Sequence, residues 1–407
     1  MALIGLKKNR CFLIIITPLL TISFFLFSSA VEYEGGARSS LLEVKKNIYD
    51  IDRIIDLQGR TIDIPYNYTL LFSGGKIING TINGNNTSII SDKKQIFSNV
   101  TITGTWKNSV VYSEWLSFSE DSTFDNRDNF LNLMALCKGD LFTTVYLKEG
   151  NYWTSTRKNG YAISIPSNTR LVFKGTLNEI PNDFEATSLV RIYHVDNVVV
   201  DGGSYYGDAK CHIGNRGEWS HGISICGSSN VIIKNTSCYF FWGDGIDMIE
   251  AFDSKEEPVY NCSNVIIDSC KCLYNRRQGL SIESVHHCVV MNSEFSHTGS
   301  FNNTPPSAGI DVEAWANNNE KIKDVTIYNC FMKDNKGFSL QSYSNAVLGN
   351  NYQLYSNDIK VIKCKMDDVL IDRTNAIFFV DCEIKSTPIV RNSEKVFFIN
   401  SSYGIIN

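Results

Sequence analysis

The sequence predicts an all-β chain wound as a single-stranded parallel β-helix, a solenoid with a short capping helix before it and a small β-rich unit before that. Two patterns carry this expectation: one strand–turn–strand frame repeated down the C-terminal half, and a second frame of aligned glycines running through the same coils. Composition agrees with both. The 407 residues are 43% hydrophobic with a net charge of -5, enough for one large core and unlike a disordered or collagen-like chain.

In chain order, residues 1–30 combine a basic start (Lys7, Lys8, Arg10), an apolar run from Cys11 to Phe27, and the small residues Ser28, Ser29 and Ala30. That is the composition of an export signal, with an uncleaved anchor as the alternative, because the run approaches the lower limit of a membrane span. Cys11 precedes the apolar run, which argues against a lipoprotein anchor. The protein is therefore expected to be exported, to the periplasm, cell surface or medium, and to meet a membrane only through this segment. Residues 31–115 read as a β-rich unit with Gly and Asn turns, either a small domain or the first coils, and residues 116–407 as the β-helix domain. Arg127 to Cys137 has apolar side chains at helical spacing (Phe130, Leu133, Met134, Cys137), and the strand 144–153 turns at Gly150.

The first frame follows from the alternation of side chains along a strand. With Asn235 as the turn, Val231 and Ile233 before it and Thr236 and Cys238 after it point inward. The same frame fits turns at Ser269, Asn292, Asn329, Lys363, Asp381 and Asn400. Spacing between turns varies, so each repeat is a coil with loops of variable length. An Asn-rich turn column suits corners that need the left-handed backbone conformation. The frame also stacks Cys270, Cys330, Cys364 and Cys382 in one inward column. Packing accounts for them better than disulfides, although stacked neighbours lie close enough for a bridge. Cys270 and Cys272 alone are weak grounds for a metal site.

The second frame aligns Gly222, Gly245, Gly279, Gly309 and Gly337. Its outward columns become Ser224, Asp247, Ser281, Asp311, Ser339 and, beside them, Cys226, Ile249, Glu283, Glu313, Gln341. Strand spacing puts Asp247 and Asp311 about 9 to 10 Å apart and Glu283 and Glu313 about 5 Å apart. Those separations bracket the ones used by inverting and retaining glycosidases. Stacked carboxylates repel, which raises a pKa or recruits a cation, so a proton donor and Ca2+ are both expectations. An ordinary solvated face would look the same. Asp247, Asp311 and Glu313 are the candidates for general acid and base, Glu283 stands beside them, and Asp244 at the edge of the face is expected to assist. Arg277 precedes the coil between the acidic ones and either acts on substrate or pairs with Asp247 or Asp311. His221 occupies the coil-start position of Asp244 and Gln278, as a base or as a structural histidine. Trp219, Trp242, Trp315 and Tyr343 neighbour these segments and could stack on sugar rings, with Gln278 as a polar contact. A pI near 5.8 without a dense basic run excludes a nucleic-acid footprint.

The coil pattern, with VYLKEGNY (145–152), GDGI (243–246) and RRQGLSI (276–282), resembles the right-handed parallel β-helix of the pectate-lyase-like (pectin lyase-fold) superfamily over roughly residues 120–400. The resemblance implies that the short helix caps the core. It also implies an activity on polysaccharide, by hydrolysis or by lyase chemistry, or else a phage-tailspike-like adhesin that binds glycan without turnover. In a lyase of this kind Arg277 would neutralise a uronate carboxylate or take the proton. A tailspike role would go with a homotrimer, and an enzyme with a monomer. The Asn-Thr-Asp, Asp-Asp, Gly-His-Gly and Arg-Ile-Lys set of polygalacturonases is missing, and no calcium motif of pectate lyases aligns, so no specific activity carries over.

Overall fold

The structure, a computed structural model, describes residues 47–252, 258–314, 322–344, 347–348, 351–352 and 356–404. The expected export segment and Trp315 lie outside these residues. Residues 47–407 form one compact unit, a right-handed parallel β-helix. Three long parallel sheets of nine, eleven and ten strands run along it. A representative coil gives Trp219–Cys226 to the nine-stranded sheet, Ser229–Lys234 to the eleven-stranded sheet and Ser237–Tyr239 to the ten-stranded sheet.

All seven turn residues of the first frame have positive φ, from 49° at Asn400 to 55° at Ser269. Asn and Asp tolerate this region because their short side chains find local hydrogen bonds. Here those bonds run from coil to coil: Asn292 Nδ2 donates to Asp268 Oδ1 at 3.0 Å, and Asn329 Nδ2 to Asn292 Oδ1 at 2.9 Å. The inward register is the expected one, with Val231, Val265, Cys288, Val325, Ile359, Ile377 and Val396 stacked in order. All are buried except Val396 in the last coil, which is partly covered.

The cysteine column is also as expected. Cys270, Cys330, Cys364 and Cys382 are buried free thiols. Each points its Sγ at a backbone carbonyl in an earlier coil, at 3.3 to 3.6 Å: Ile233, Val290, Ile327 and Val361 respectively. A small, weakly donating side chain fits a position that faces both core and backbone.

The second frame holds through Gly309 and then slips. Ile310 pairs with Leu340, and Asp311 with Gln341, so the last coil runs two residues out of the expected register. Ser339, not Gly337, stands in the glycine column, and Gln341 and Tyr343 replace Ser339 and Gln341 in the outward columns. The turn after Met332 is as long as those after Cys238 and Cys272, and its glycine-column position carries Ser339, while Gly337, two residues earlier, is packed against the carbonyl of Pro306.

Before these coils, strands between Ile48 and Trp106 already pair in parallel, and their apolar side chains join the same buried cluster as the later coils. The helix Arg127–Ala135 buries Phe130, Leu133 and Met134. Its Asn132 closes the backbone of the strand Phe97–Trp106, accepting from Ile102 N–H and donating to Val100 O, each at 2.8 Å. No helix of the described residues is long and apolar enough to cross a membrane.

Of the eleven described cysteines only Cys211 is exposed; burial raises Cys270 to about 12, and at Cys364 and Cys382 the neighbouring thiol is the first cause of the rise. Brief alkylation of the native protein followed by peptide mass spectrometry should therefore label Cys211 and spare the other ten until denaturant is added. A native disulfide within the inward column would overturn this account of the core.

Candidate functional site

The nine-stranded sheet gathers the candidate residues because each of its central coils begins with a loop and a glycine. At Gly245 a Cβ would sit 2.6 Å from Asn275 Nδ2 and 2.7 Å from the Gly279 carbonyl. Only glycine lets successive loops stack that closely. Asn275, buried under this edge, and Asn335, half-buried there, tie the loops together. Their side chains accept from Phe241 N–H at 3.0 Å and from Thr298 N–H at 2.9 Å.

The register places Ser224, Asp247, Ser281, Asp311 and Gln341 in one column and aligns His221 with Asp244 and Gln278. This face is not a solvated one. Asp244 and Asp311 are fully buried, and Asp247, Glu283 and Glu313 nearly so. Arg277 is the counter-charge at its centre. Its Nη1 donates to Asp244 Oδ2 at 2.8 Å, Nη2 lies 3.8 Å from Glu313, and Nε lies 3.9 Å from Glu218. The expected pairing with Asp247 or Asp311 is replaced by the pairing with Asp244, which the loop geometry brings alongside. Burial would lower the Arg277 pKa, but the surrounding carboxylates, Asp244 foremost, hold it high. A guanidinium so paired is neither a free anion receptor nor a base.

Burial also governs the carboxyls. Asp244 is pushed up to about 7 by burial, with Arg277 pulling the other way. Asp247 is pushed up to about 8 by burial and by Asp244. Glu283 rises well above the ordinary range through burial and Asp247, and Asp311 through burial and Glu313. Asp311 Oδ2 accepts from Gln278 Nε2 at 2.7 Å. Gln278 is thus a buried positioning contact and not a surface contact for substrate. His221 is pushed down to about 3 by burial and by Arg277. Its Nδ1 accepts the backbone N–H of Asp244 at 3.1 Å, which leaves the ring proton on Nε2, 4.0 Å from Asp247 Oδ2. The neutral imidazole faces Asp247 as a donor, and the contact is not an ion pair.

A cleft of about 180 Å³ opens onto part of this cluster, lined by Trp219, His221, Asp247, Ile249, Glu250, Phe252 and Glu283. Trp219 is 50% and Phe252 38% exposed, so two aromatic side chains stand at its rim. Glu250 and Phe252 escape the alternating pattern because they follow the end of the strand Ile246–Ile249, where the chain leaves the sheet. The other aromatic candidates behave differently. Trp242 is 2% exposed and held between two partners, with His212 stacked at 4.1 Å and the Arg276 guanidinium 3.8 Å from its ring, so it offers no face to a sugar. Tyr343 is half-buried beside Glu313, and its hydroxyl accepts from Arg373 at 3.0 Å. The structure therefore brings Asp247, Glu283, His221 and Trp219 to a cleft. It sets Asp244, Arg277, Gln278, Asp311 and Glu313 in the polar network around them.

No family model matches the chain. Two Bacillus subtilis proteins are similar in sequence, each 26% identical: the uncharacterized YclG over 230 residues (52% of this chain, 39% of that protein), and the SPbeta prophage-derived uncharacterized YorA over 253 residues (56% and 43%). The chain spans less than half the length of these curated relatives. Among solved structures, the A-module of the Azotobacter vinelandii mannuronan C-5 epimerase AlgE4 is similar at a TM-score of 0.46 and 12% identity, covering 73% of this chain and 98% of that one. The polygalacturonase of Erwinia carotovora is similar at 0.42 and 11%, covering 87% and 96%. Both likenesses are of fold.

Removing the cation should be the most damaging single change here, since it strands buried carboxyls. Arg277→Met is expected to cost about 3–5 kcal/mol in denaturant unfolding, and Arg277→Lys less. The pH dependence has a definite sign. The native state keeps the Asp247 proton to about pH 8, whereas the unfolded chain releases it near 3.8, so native Asp247 binds more protons throughout that window and its contribution falls as pH rises. His221 opposes this only below 6.5, where the unfolded ring protonates and the native one does not. Between pH 6.5 and 8 the Tm should therefore fall, and fall less steeply in Asp247→Asn. A slope equal in the two proteins would refute the buried proton.

Proposed function

We propose that the protein is an exported polysaccharide-active enzyme that hydrolyses an extended glycan laid along the nine-stranded face, with Asp247 and Glu283 as the acid–base pair. The observation that carries this reading is the pair itself: two nearly buried carboxyls on adjacent coils, both lining one cleft and both raised by burial. Their Cα atoms lie roughly 8 Å apart by strand spacing and rise. Such coupled carboxyls lose their protons in two steps, and the singly protonated pair supplies an acid for the leaving oxygen and a carboxylate for the other half of the reaction. His221 Nε2–H faces that of Asp247 at 4.0 Å, beyond hydrogen-bond distance. The cleft is smaller than the roughly 300 Å³ at which drug-sized pockets begin, room for about one ring, and the rest of the chain would rest on the open face against Trp219 and Phe252.

Hydrolysis is favoured over lyase chemistry because Arg277, the residue a lyase would use, is engaged with Asp244 and held protonated. Asp311 and Glu313 serve as supports of Arg277 and Gln278. A calcium ion has no part in the proposal. Arg277 already supplies positive charge between Asp244 and Glu313, and among the described residues no group of three or more His, Cys, Asp or Glu could hold a metal ion.

A second reading, glycan binding without turnover as in a phage-derived adhesin, draws on the prophage origin of the relative YorA. A panel of neutral and acidic glycans separates the readings, with reducing ends reporting hydrolysis and ultraviolet absorbance reporting unsaturated lyase products. The expected result is new reducing ends without that absorbance, a kcat/KM that rises toward about pH 8 as Asp247 loses its proton while Glu283 keeps its own, and about 10²- to 10⁴-fold lower rates in Asp247→Asn and Glu283→Gln. Binding that survives both substitutions, with no product from any glycan, would favour the adhesin, as would a stable trimer by sedimentation.

A further inference from the structure

Upstream of the cleft, on the same face, Arg191 stands in the column of Asp247 with Ser224 between them. Two coil steps put its Cα about 10 Å from that of Asp247. Its guanidinium is held between two rings, 3.9 Å from the centroid of Tyr161 and 5.0 Å from that of Tyr193. Tyr193 in turn donates its hydroxyl to the Phe252 carbonyl at 2.6 Å, so one side chain braces both Arg191 and a wall of the cleft. The positions are electrostatically continuous. Burial and then Asp247 raise the Cys226 thiol beside them, and Arg191 is the cation that acts against this rise.

What sets Arg191 apart is that it has no acceptor. Among the described arginines that are not exposed, Arg127 donates to the Tyr161 carbonyl, Arg170 to Asp201, Arg276 to the Gly217 carbonyl, Arg277 to Asp244 and Arg373 to Tyr343. Arg191 makes no hydrogen bond or ion pair with any described residue, and its Nε is buried without a partner. A desolvated donor left unpaired is costly, and a guanidinium fixed by aromatic faces is already oriented for a planar anion. We propose that Arg191 recognises an anionic substituent, a carboxylate or a sulfate ester, on the sugar two residues along the glycan from the one held in the Asp247 cleft. This rests on the glycan-active reading above and adds the substrate class to it. The acidic floor does not repel such a chain at neutral pH, because Asp247, Glu283 and Asp311 hold their protons there.

The test is calorimetric binding of oligouronates, sulfated oligosaccharides and neutral oligosaccharides of matched length to the Asp247→Asn protein, with and without Arg191→Met or Arg191→Lys. Circular dichroism and Tm confirm that each variant is folded. Loss of a charge-assisted contact predicts an about 10- to 100-fold weaker Kd for the anionic chains in Arg191→Met, little change for neutral ones, and partial recovery in Arg191→Lys. Loss confined to oligouronates identifies a carboxylate, and loss confined to sulfated chains a sulfate ester. Anionic binding within twofold of the parent in Arg191→Met would overturn the inference, as would anionic chains binding no better than neutral ones. The two readings fail separately. Arg191-dependent binding with no turnover by the unsubstituted protein removes the hydrolase and keeps the anion subsite. Turnover of neutral glycan with unchanged KM in Arg191→Met does the reverse.

Discussion

The constraint on which the rest of this molecule depends is the stacking of coils by backbone hydrogen bonds at about 4.8 Å. Once coils stack in parallel without offset, every residue has a fixed neighbour above and below, and chemistry is set column by column. Inward columns must be apolar or must satisfy themselves. The cysteines do so by pointing thiols at carbonyls of earlier coils. Corner columns must accept positive φ, and Asn and Asp do so while bonding to their neighbours. Lys363 takes the same conformation at one corner, where the register of the surrounding strands leaves no alternative.

The same constraint creates the site. Columns that place Asp247 near Asp244 and Glu283 near Glu313 bring like charges together, and burial removes the water that would screen them. Two devices answer this. Arg277 neutralises Asp244 and faces Glu313 and Glu218, and the carboxyls farther from it retain protons. Burial is the first cause of the retained protons, and Arg277 pulls against it at Asp244 and Asp247 alike. Under the proposed function, Arg277 would then be a structural requirement for the acid–base role of Asp247 without any contact with substrate. It also separates residues that look equivalent in sequence, since Asp311 is tied to Gln278 within the network while Asp247 lines a cleft.

Much of this was legible in the residues, for reasons that mark where legibility ends. Alternation and turn chemistry are local, so the inward frame and its seven corners could be read directly. The glycine frame was legible as long as a glycine stood in its column, and it misled at Gly337, because Ser339 holds that position two residues later. Side-chain burial was not legible, because alternation says only that Asp247 and Glu283 leave the core. It does not say that their neighbours, drawn from other coils, enclose them. Trp242 carries the composition of a sugar platform, and only the three-dimensional stack of His212, Trp242 and Arg276 shows both of its faces occupied. Glu250 and Phe252 lie past a strand end, where periodicity has no content.

The floor is laid by coils whose positions are fixed by backbone bonds, so each substitution acts at a known step along the axis. Ser224 stands between Arg191 and Asp247 in one column, so the proposed anion-facing and acid–base positions lie on different coils. Tyr193 links them mechanically, with one ring against Arg191 and its hydroxyl on the backbone of Phe252. In the proposed reading, recognition and chemistry then sit on separate coils, and the distance between them is set by coil count. A polymer whose own repeat is regular meets a surface of matching regularity, which is the physical reason this architecture suits a chain of sugars better than a compact ligand.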